Sequence, residues 1–218
     1  MTTIGSAIEG RRAVMAFTAS LAVISLDWWL IWFNHYPESS EGRWALAFVG
    51  CAIQLALARG NLDALGLVEP IGGWRRWLRI CSCLLAAVVV IGAMAFAVWR
   101  AGDNPLPQHL IPMRSLGTRI IPMCLLTPLL EEAIYRVALC VGVAALLGGR
   151  WAIVVSGIAF AVVHLVYGNP SPENQLGGFF LAWAYIRSGS IYVPLILHSA
   201  GNGLVLLAHL GANVFFNT

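Results

Sequence analysis

IIPMCLLTPLLEEAIYRVALCVGVAALL, from Ile120 to Leu147, is the stretch that decides how this chain is read. It is apolar over more than the roughly 20 residues a helix needs to cross a bilayer. Yet Glu131, Glu132 and Arg136 sit in its middle. A charge at membrane depth costs at least about 2.5 kcal/mol, so it persists where it has partners or a function. The remainder of the sequence is then the scaffold that makes these groups tolerable.

Composition agrees. Of 218 residues, 59% are hydrophobic and 11% charged, against about 25% charged in a soluble domain. Mean hydropathy is +0.79. This is the composition of an all-α, polytopic transmembrane bundle, read here as one domain over residues 1–218. All 13 basic residues are arginines, a bias that suggests a GC-rich, bacterial genome. They form no basic run of the kind that binds nucleic acid. Cys51, Cys81, Cys83, Cys124 and Cys140 fall in apolar stretches without metal-finger spacing.

Working outward, the apolar runs are Ala13–Phe33, Trp44–Ala58, Cys81–Trp99, Ile120–Leu147, Trp151–Tyr167, Leu176–Ile186 and Ile191–Leu210. They predict seven spans, with eight as the alternative. The first follows Arg11 and Arg12 but is too long for a signal peptide, and no cleavage site follows it. The second is short, with Arg43 and Arg59 expected to snorkel to the interfaces. The sixth, around Gly177-Gly178-Phe179-Phe180, is expected to be tilted, short or partly re-entrant. Residues 62–80 read as an interfacial segment, with Trp74, Trp77 and Leu78 toward lipid and Arg75, Arg76 and Arg79 toward headgroups. Placing the N-terminus in the cytoplasm puts Arg11, Arg12, Arg59, Arg75, Arg76, Arg79, Arg150 and Arg187 inside, as the positive-inside rule expects. The plasma (inner) membrane is the expected location.

Four spans carry polar groups that an anchor would not need. Asp27 lies near the outer end of the first and is expected to bond locally or reach the interface. Glu131, Glu132 and Arg136 lie on the fourth. His164 follows Phe160 by four on the fifth, and His198 precedes Asn202 by four on the last. A spacing of four places two side chains on one helix face. Counting helical rise from the cytoplasmic ends puts Glu131, His164, Asn202 and His198 at about 25, 20, 16 and 10 Å, compatible with one intramembrane site. Glu132 precedes Arg136 by four, the favourable order for an ion pair; a structural clamp and direct chemistry stand level there. Glu131 points about 100° away from that pair and is the better placed general base. His209 is read as interfacial, and His35 and His109 as loop residues.

Three motifs in order, Glu131-Glu132-Ala133-Ile134-Tyr135-Arg136, Phe160-Ala161-Val162-Val163-His164 and His198-Ser199-Ala200-Gly201-Asn202, resemble the CPBP family of intramembrane proteases, also called the ABI or type II CAAX prenyl endopeptidase family. The approach Gly189-Ser190-Ile191-Tyr192-Val193-Pro194 is similar too, and the resemblance covers roughly residues 120–203. It implies peptide-bond hydrolysis in an intramembrane cavity, on a membrane-associated protein or peptide, with no cofactor and no required metal. By that resemblance Glu131 activates a water that His164 helps orient. His198 and Asn202 donate to the oxyanion, while Glu132, Arg136 and Phe160 support the site.

Alternatives stay beside this reading. Glu131, His164 and His198 are also a chemically possible zinc set, although His-Glu-x-x-His is absent. A scaffold or bacteriocin-immunity protein retaining the fold, or a transporter with midplane polar groups, would share the composition. The substrate is open among prenylated CAAX proteins, peptide precursors and C-terminal sorting tails.

Overall fold

A segment in lipid must satisfy its own backbone, and a helix does so residue by residue. The computed structural model describes residues 4–34, 41–102, 111–169 and 171–216, and these fold as seven helical rods with no strand among the described residues. They are α1 (Arg11–Asn34), α2 (Glu41–Leu57), α3 (Trp74–Ala101), the composite rod α4 over residues 113–147, α5 (Gly149–Val166), α6 (Pro172–Ser188) and α7 (Tyr192–Phe216). The seven apolar runs fall on these seven rods, all helical as the composition required. Four contain stretches long and apolar enough to cross a membrane unaided: Arg11–Trp32, Trp74–Ala101, Gly149–Val166 and Tyr192–Val214. His35, His109 and most of the proline-bearing loop after α3 lie outside the described residues.

The rod α4 is the axis of the bundle. Residues 130–143 are buried throughout, apart from half-buried Ala133, and α1, α2, α5 and α7 all pack against them. The rod changes winding twice without breaking, as a π turn at Pro122–Leu126 and a longer π stretch at Ala133–Cys140. Wider winding tilts carbonyls out of the axial ladder, and neighbouring helices supply the donors. Ser156 donates to Tyr135 O at 3.0 Å, and Ser20 to Ala138 O at 2.6 Å, where Gln54 Nε2 also donates at 3.1 Å. Small residues allow the approach. A side chain at Gly142 would run into Ser20 and the Ala16 carbonyl, and a Cβ on Gly50 would lie 2.9 Å from that of Ala138.

The sixth apolar run lies in one continuous helix of 17 residues, short as expected. Its glycine has a packing reason: α5 and α6 exchange aromatic rings for glycines. Phe179 of α6 seats on Gly157 of α5, and Phe160 of α5 seats on Gly178 of α6, where a Cβ would lie 2.7 Å from that of Phe160.

Two other expectations are corrected. The segment before α3 is not simply laid on a membrane surface. It is stapled to the turn between α6 and α7 by Tyr185 Oη to Leu65 O at 2.6 Å, Ser190 Oγ to Val68 O at 2.6 Å, Ile71 N to Ser188 O at 2.7 Å and Ile191 N to Gly66 O at 2.8 Å. Trp77 is buried against Trp183 and gives its ring N–H to Ile71 O, while Arg75, Arg76 and Arg79 are exposed as expected. Arg43 does not snorkel and Asp27 is no local or interfacial residue. Both are fully buried, and they pair with each other across α1 and α2. An apolar bundle offers neither charge a cheaper arrangement than the other.

Beyond Leu85 the helix α3 leaves the others. Every residue from 86 to its end is exposed, including Val90, Ile91, Met94 and Val98. A helix apolar on all sides has lipid as its natural surrounding.

Candidate active site

Glu131 and Glu132 lie at the end of the α-helical piece Thr127–Glu132, immediately before the π stretch. Both are buried, at 2% and 1% exposure. The structure separates their surroundings as the spacing predicted. Glu132 Oε2 lies 3.0 Å from Arg136 Nε. That approach is an ion pair by distance but too oblique for a directed hydrogen bond, so the contact is mainly electrostatic. Arg136 spends Nη1 on Ser156 at 2.9 Å and lays its guanidinium 5.2 Å from the Phe160 ring centre. The other oxygen of Glu132 meets His198 Nδ1 at 2.9 Å, a partner that spacing along one helix could not reveal.

Glu131 is different. Its Oε2 is buried, has no hydrogen-bond partner, and stands 3.6 Å from His198 Nε2. That gap is too long for a direct bond. A buried carboxylate oxygen left open is a costly feature, and it faces the one nitrogen of His198 that Glu132 does not use.

Phe160 is the hinge of the site. Its ring meets His164 at 4.4 Å, Tyr135 at 5.5 Å and His198 at 5.8 Å, centre to centre. His164 Nδ1 lies 2.8 Å from the Phe160 carbonyl. A carbonyl only accepts, so Nδ1 carries the proton and Nε2 is left as an acceptor. No hydrogen bond joins His164 to Glu131; the histidine joins the site through the Phe160 ring.

Asn202 holds a position that its motif did not foretell. Its Nδ2 donates to Met123 O at 2.7 Å. Pro128 has no N–H to offer, and Met123 is the carbonyl five residues before it, at the distance of π pairing. Asn202 therefore repairs the gap that a proline opens in α4, with its second amide hydrogen left for other work. His209 and Asn213 repeat the spacing farther along α7: Ile111 N donates to His209 Nδ1 at 3.3 Å, and Asn213 Nδ2 donates to Ile111 O at 2.9 Å. The chain before α4 is thus clipped to the end of α7, and His209 has a specific partner besides its place near the span's end.

So the structure gathers Glu131, Glu132, Arg136, Phe160 and His198 into one contact group, with His164 against Phe160 and Asn202 bridging α7 to the start of the motif helix. Among the described residues no three His, Cys, Asp or Glu side chains are grouped to hold a metal ion.

Residues 113–204 match the family model described as type II CAAX prenyl endopeptidase Rce1-like. The match covers less than half of the chain, and it is this segment that is similar to that family. It runs from the start of α4 into the middle of α7, so it includes every motif residue and leaves α1–α3 outside. The Rce1-like family is a protease family of the membrane, and the four long apolar helices agree with a membrane protein. No curated protein and no solved structure matches the chain.

Sequence reasoning missed four side chains. Asp27, Arg43, Tyr135 and Tyr167 form a network behind the site. Arg43 donates to Asp27 at 2.6 and 3.2 Å and to Tyr167 Oη at 2.6 Å, and Tyr135 Oη donates to Asp27 at 2.9 Å. A signal existed: Asp27 lies two turns before the end of α1 and Arg43 in the first turn of α2, so an antiparallel pair brings opposite charges level.

Proposed function

We propose that the chain is an intramembrane endopeptidase in which Glu131 activates water. One observation carries the reading: the open Oε2 of Glu131, buried beside His198 in a segment similar to a protease family. A water taking that oxygen as its acceptor would be polarised for attack on a peptide carbonyl. His164, with Nε2 as acceptor, would orient the same water across the Phe160 ring.

His198 would serve the oxyanion through Nε2. Because Nδ1 is bound to Glu132, donation from Nε2 requires the ring to hold a second proton, and the two flanking carboxylates would balance that charge. The remaining amide hydrogen of Asn202 is the second donor. Such preorganised donors are worth about 3–4 kcal/mol each. Collapse of the tetrahedral intermediate breaks the C–N bond, and the proton that Glu131 took from water passes to the leaving amine. Glu132, Arg136 and Ser156 keep the carboxylates and His198 aligned.

The substrate we favour is a membrane-associated protein or peptide cut near one end, of the CAAX type or a precursor or sorting tail. Arginines 11, 59, 75, 76 and 79, all exposed, support a cytoplasmic N-terminus, and the absence of lysine favours a bacterial plasma membrane. The test compares membrane-protein termini in cells producing the native chain and Glu131→Gln. A general base contributes about 10²–10⁴-fold, so termini generated by the native chain should vanish in the variant. Identical termini in both, with the variant folded and in the membrane, would leave a scaffold as the better account.

A further inference from the structure

The buried pair Asp27–Arg43 does more than close the α1–α2 hairpin. Both side chains are fully buried, and each reaches a tyrosine of a motif helix. Through Asp27 the pair holds the hydroxyl of Tyr135, one turn beyond Glu131, whose ring stands edge-on to Phe160. Through Arg43 it holds the hydroxyl of Tyr167 at the end of α5, whose ring stands 6.2 Å from that of His164, edge to face. Arg43 also lies within electrostatic reach of Glu131.

We infer that Asp27 and Arg43 are positioning residues for the active site, fixing Tyr135 and Tyr167 so that the Glu131 and His164 arms keep one relative geometry. This rests on the peptidase reading of those two residues. It assigns a role to the hairpin α1–α2, which lies outside the matched segment. The chemistry suits that role, because a guanidinium fork can grip a carboxylate with two nitrogens and still extend a third to a hydroxyl, whereas an ammonium is a single point. The two hydroxyls need no proton exchange to hold their places. A small displacement of groups that must align for reaction is costly, up to about 10²-fold per ångström.

Arg43→Lys and Tyr167→Phe separate positioning from folding. The first keeps the charge opposite Asp27 but cannot also reach Tyr167; the second removes one oxygen and keeps the ring beside His164. Each is compared with the native chain in micelles by the ¹⁵N signals of the imidazole rings, together with thermal unfolding. Positioning predicts that the His164 signal shifts or splits in both folded variants while that of His209, far along α7, is unchanged. Formation of the Glu131-dependent termini should also slow by about tenfold. His164 and His198 signals superimposable on the native ones in folded Tyr167→Phe would overturn the positioning role, whatever the enzyme cleaves. Absence of any Glu131-dependent terminus would instead strike the peptidase reading, since the imidazole signals need no substrate.

Discussion

Two arginine–carboxylate pairs are buried among the described residues, Glu132–Arg136 within α4 and Asp27–Arg43 between α1 and α2. The first is oblique and shared: Glu132 also meets His198, and Arg136 divides its charge among Glu132, Ser156 and the Phe160 face. The second is direct, with two nitrogens on one carboxylate, and its outer partners are two tyrosine hydroxyls. Charge at the proposed site is shared among several partners. Charge behind it is held by one guanidinium–carboxylate fork.

That contrast predicts unequal responses to truncation. Arg43→Met strands Asp27 with Tyr135 Oη as its remaining partner, and an orphaned buried charge costs about 3–5 kcal/mol. Arg136→Met should cost less, because His198 Nδ1 stands 2.9 Å from the carboxylate it leaves behind and remains its hydrogen-bond partner. Denaturant unfolding in micelles reads both. Equal losses would break the comparison. Replacing the locked pair as a unit, Asp27→Asn with Arg43→Gln, removes both charges and should recover most of the stability lost by Arg43→Met, since paired replacement of buried ions is often nearly neutral.

A smaller effect lies between the two regions. Phe160 touches Tyr135 on the locked side and both histidines on the other, and it rests on Gly178. In Gly178→Ala the added methyl would lie 2.7 Å from the Phe160 Cβ, so ring or helix must move. Overpacking of this kind costs about 1–3 kcal/mol. Because the ring carries His164, cleavage should fall by more than the stability loss explains. A stability loss with unimpaired cleavage would show that the hinge tolerates displacement.

These residues also mark where the sequence was readable. Helices, their number and the central place of Glu131–Arg136 follow from local facts: apolar run length, the cost of intramembrane charge and a spacing of four. What lay between helices was not readable in the same way. Asp27 and Arg43 are 16 residues apart in the chain, and each alone sits close enough to a span end to reach the interface. Only the antiparallel approach of α1 and α2 brings them level. Gly178 looked like a weak point until Phe160 was found seated on it. Asn202 was assigned to an oxyanion by its motif, but its contact with Met123 depends on π winding, which no periodicity in α4 announces.

The least costly comparison is within α7, where the same four-residue spacing occurs twice. Asn202 gives Nδ2 to Met123 O at 2.7 Å, and Asn213 gives Nδ2 to Ile111 O at 2.9 Å and to His209 O at 2.8 Å. Met123 lies in the π turn opposite mid-α7, five residues before Pro128, which has no N–H to give. Removing a side-chain donor from such an acceptor costs about 1–3 kcal/mol where nothing replaces it. Ile111 lies before the first turn of α4, beside the end of α7, where water can replace the amide, and such changes are usually within about 0.5 kcal/mol. Asn202→Ala should therefore lower the unfolding midpoint clearly, and Asn213→Ala barely. If Asn202→Ala abolishes cleavage yet unfolds like the native chain, the carbonyl contact is incidental and the side chain's whole value is chemical. If stability and cleavage fall together, one amide repairs the proline gap and serves the oxyanion with its second hydrogen, which ties the catalytic donor to the winding of the helix that carries the base.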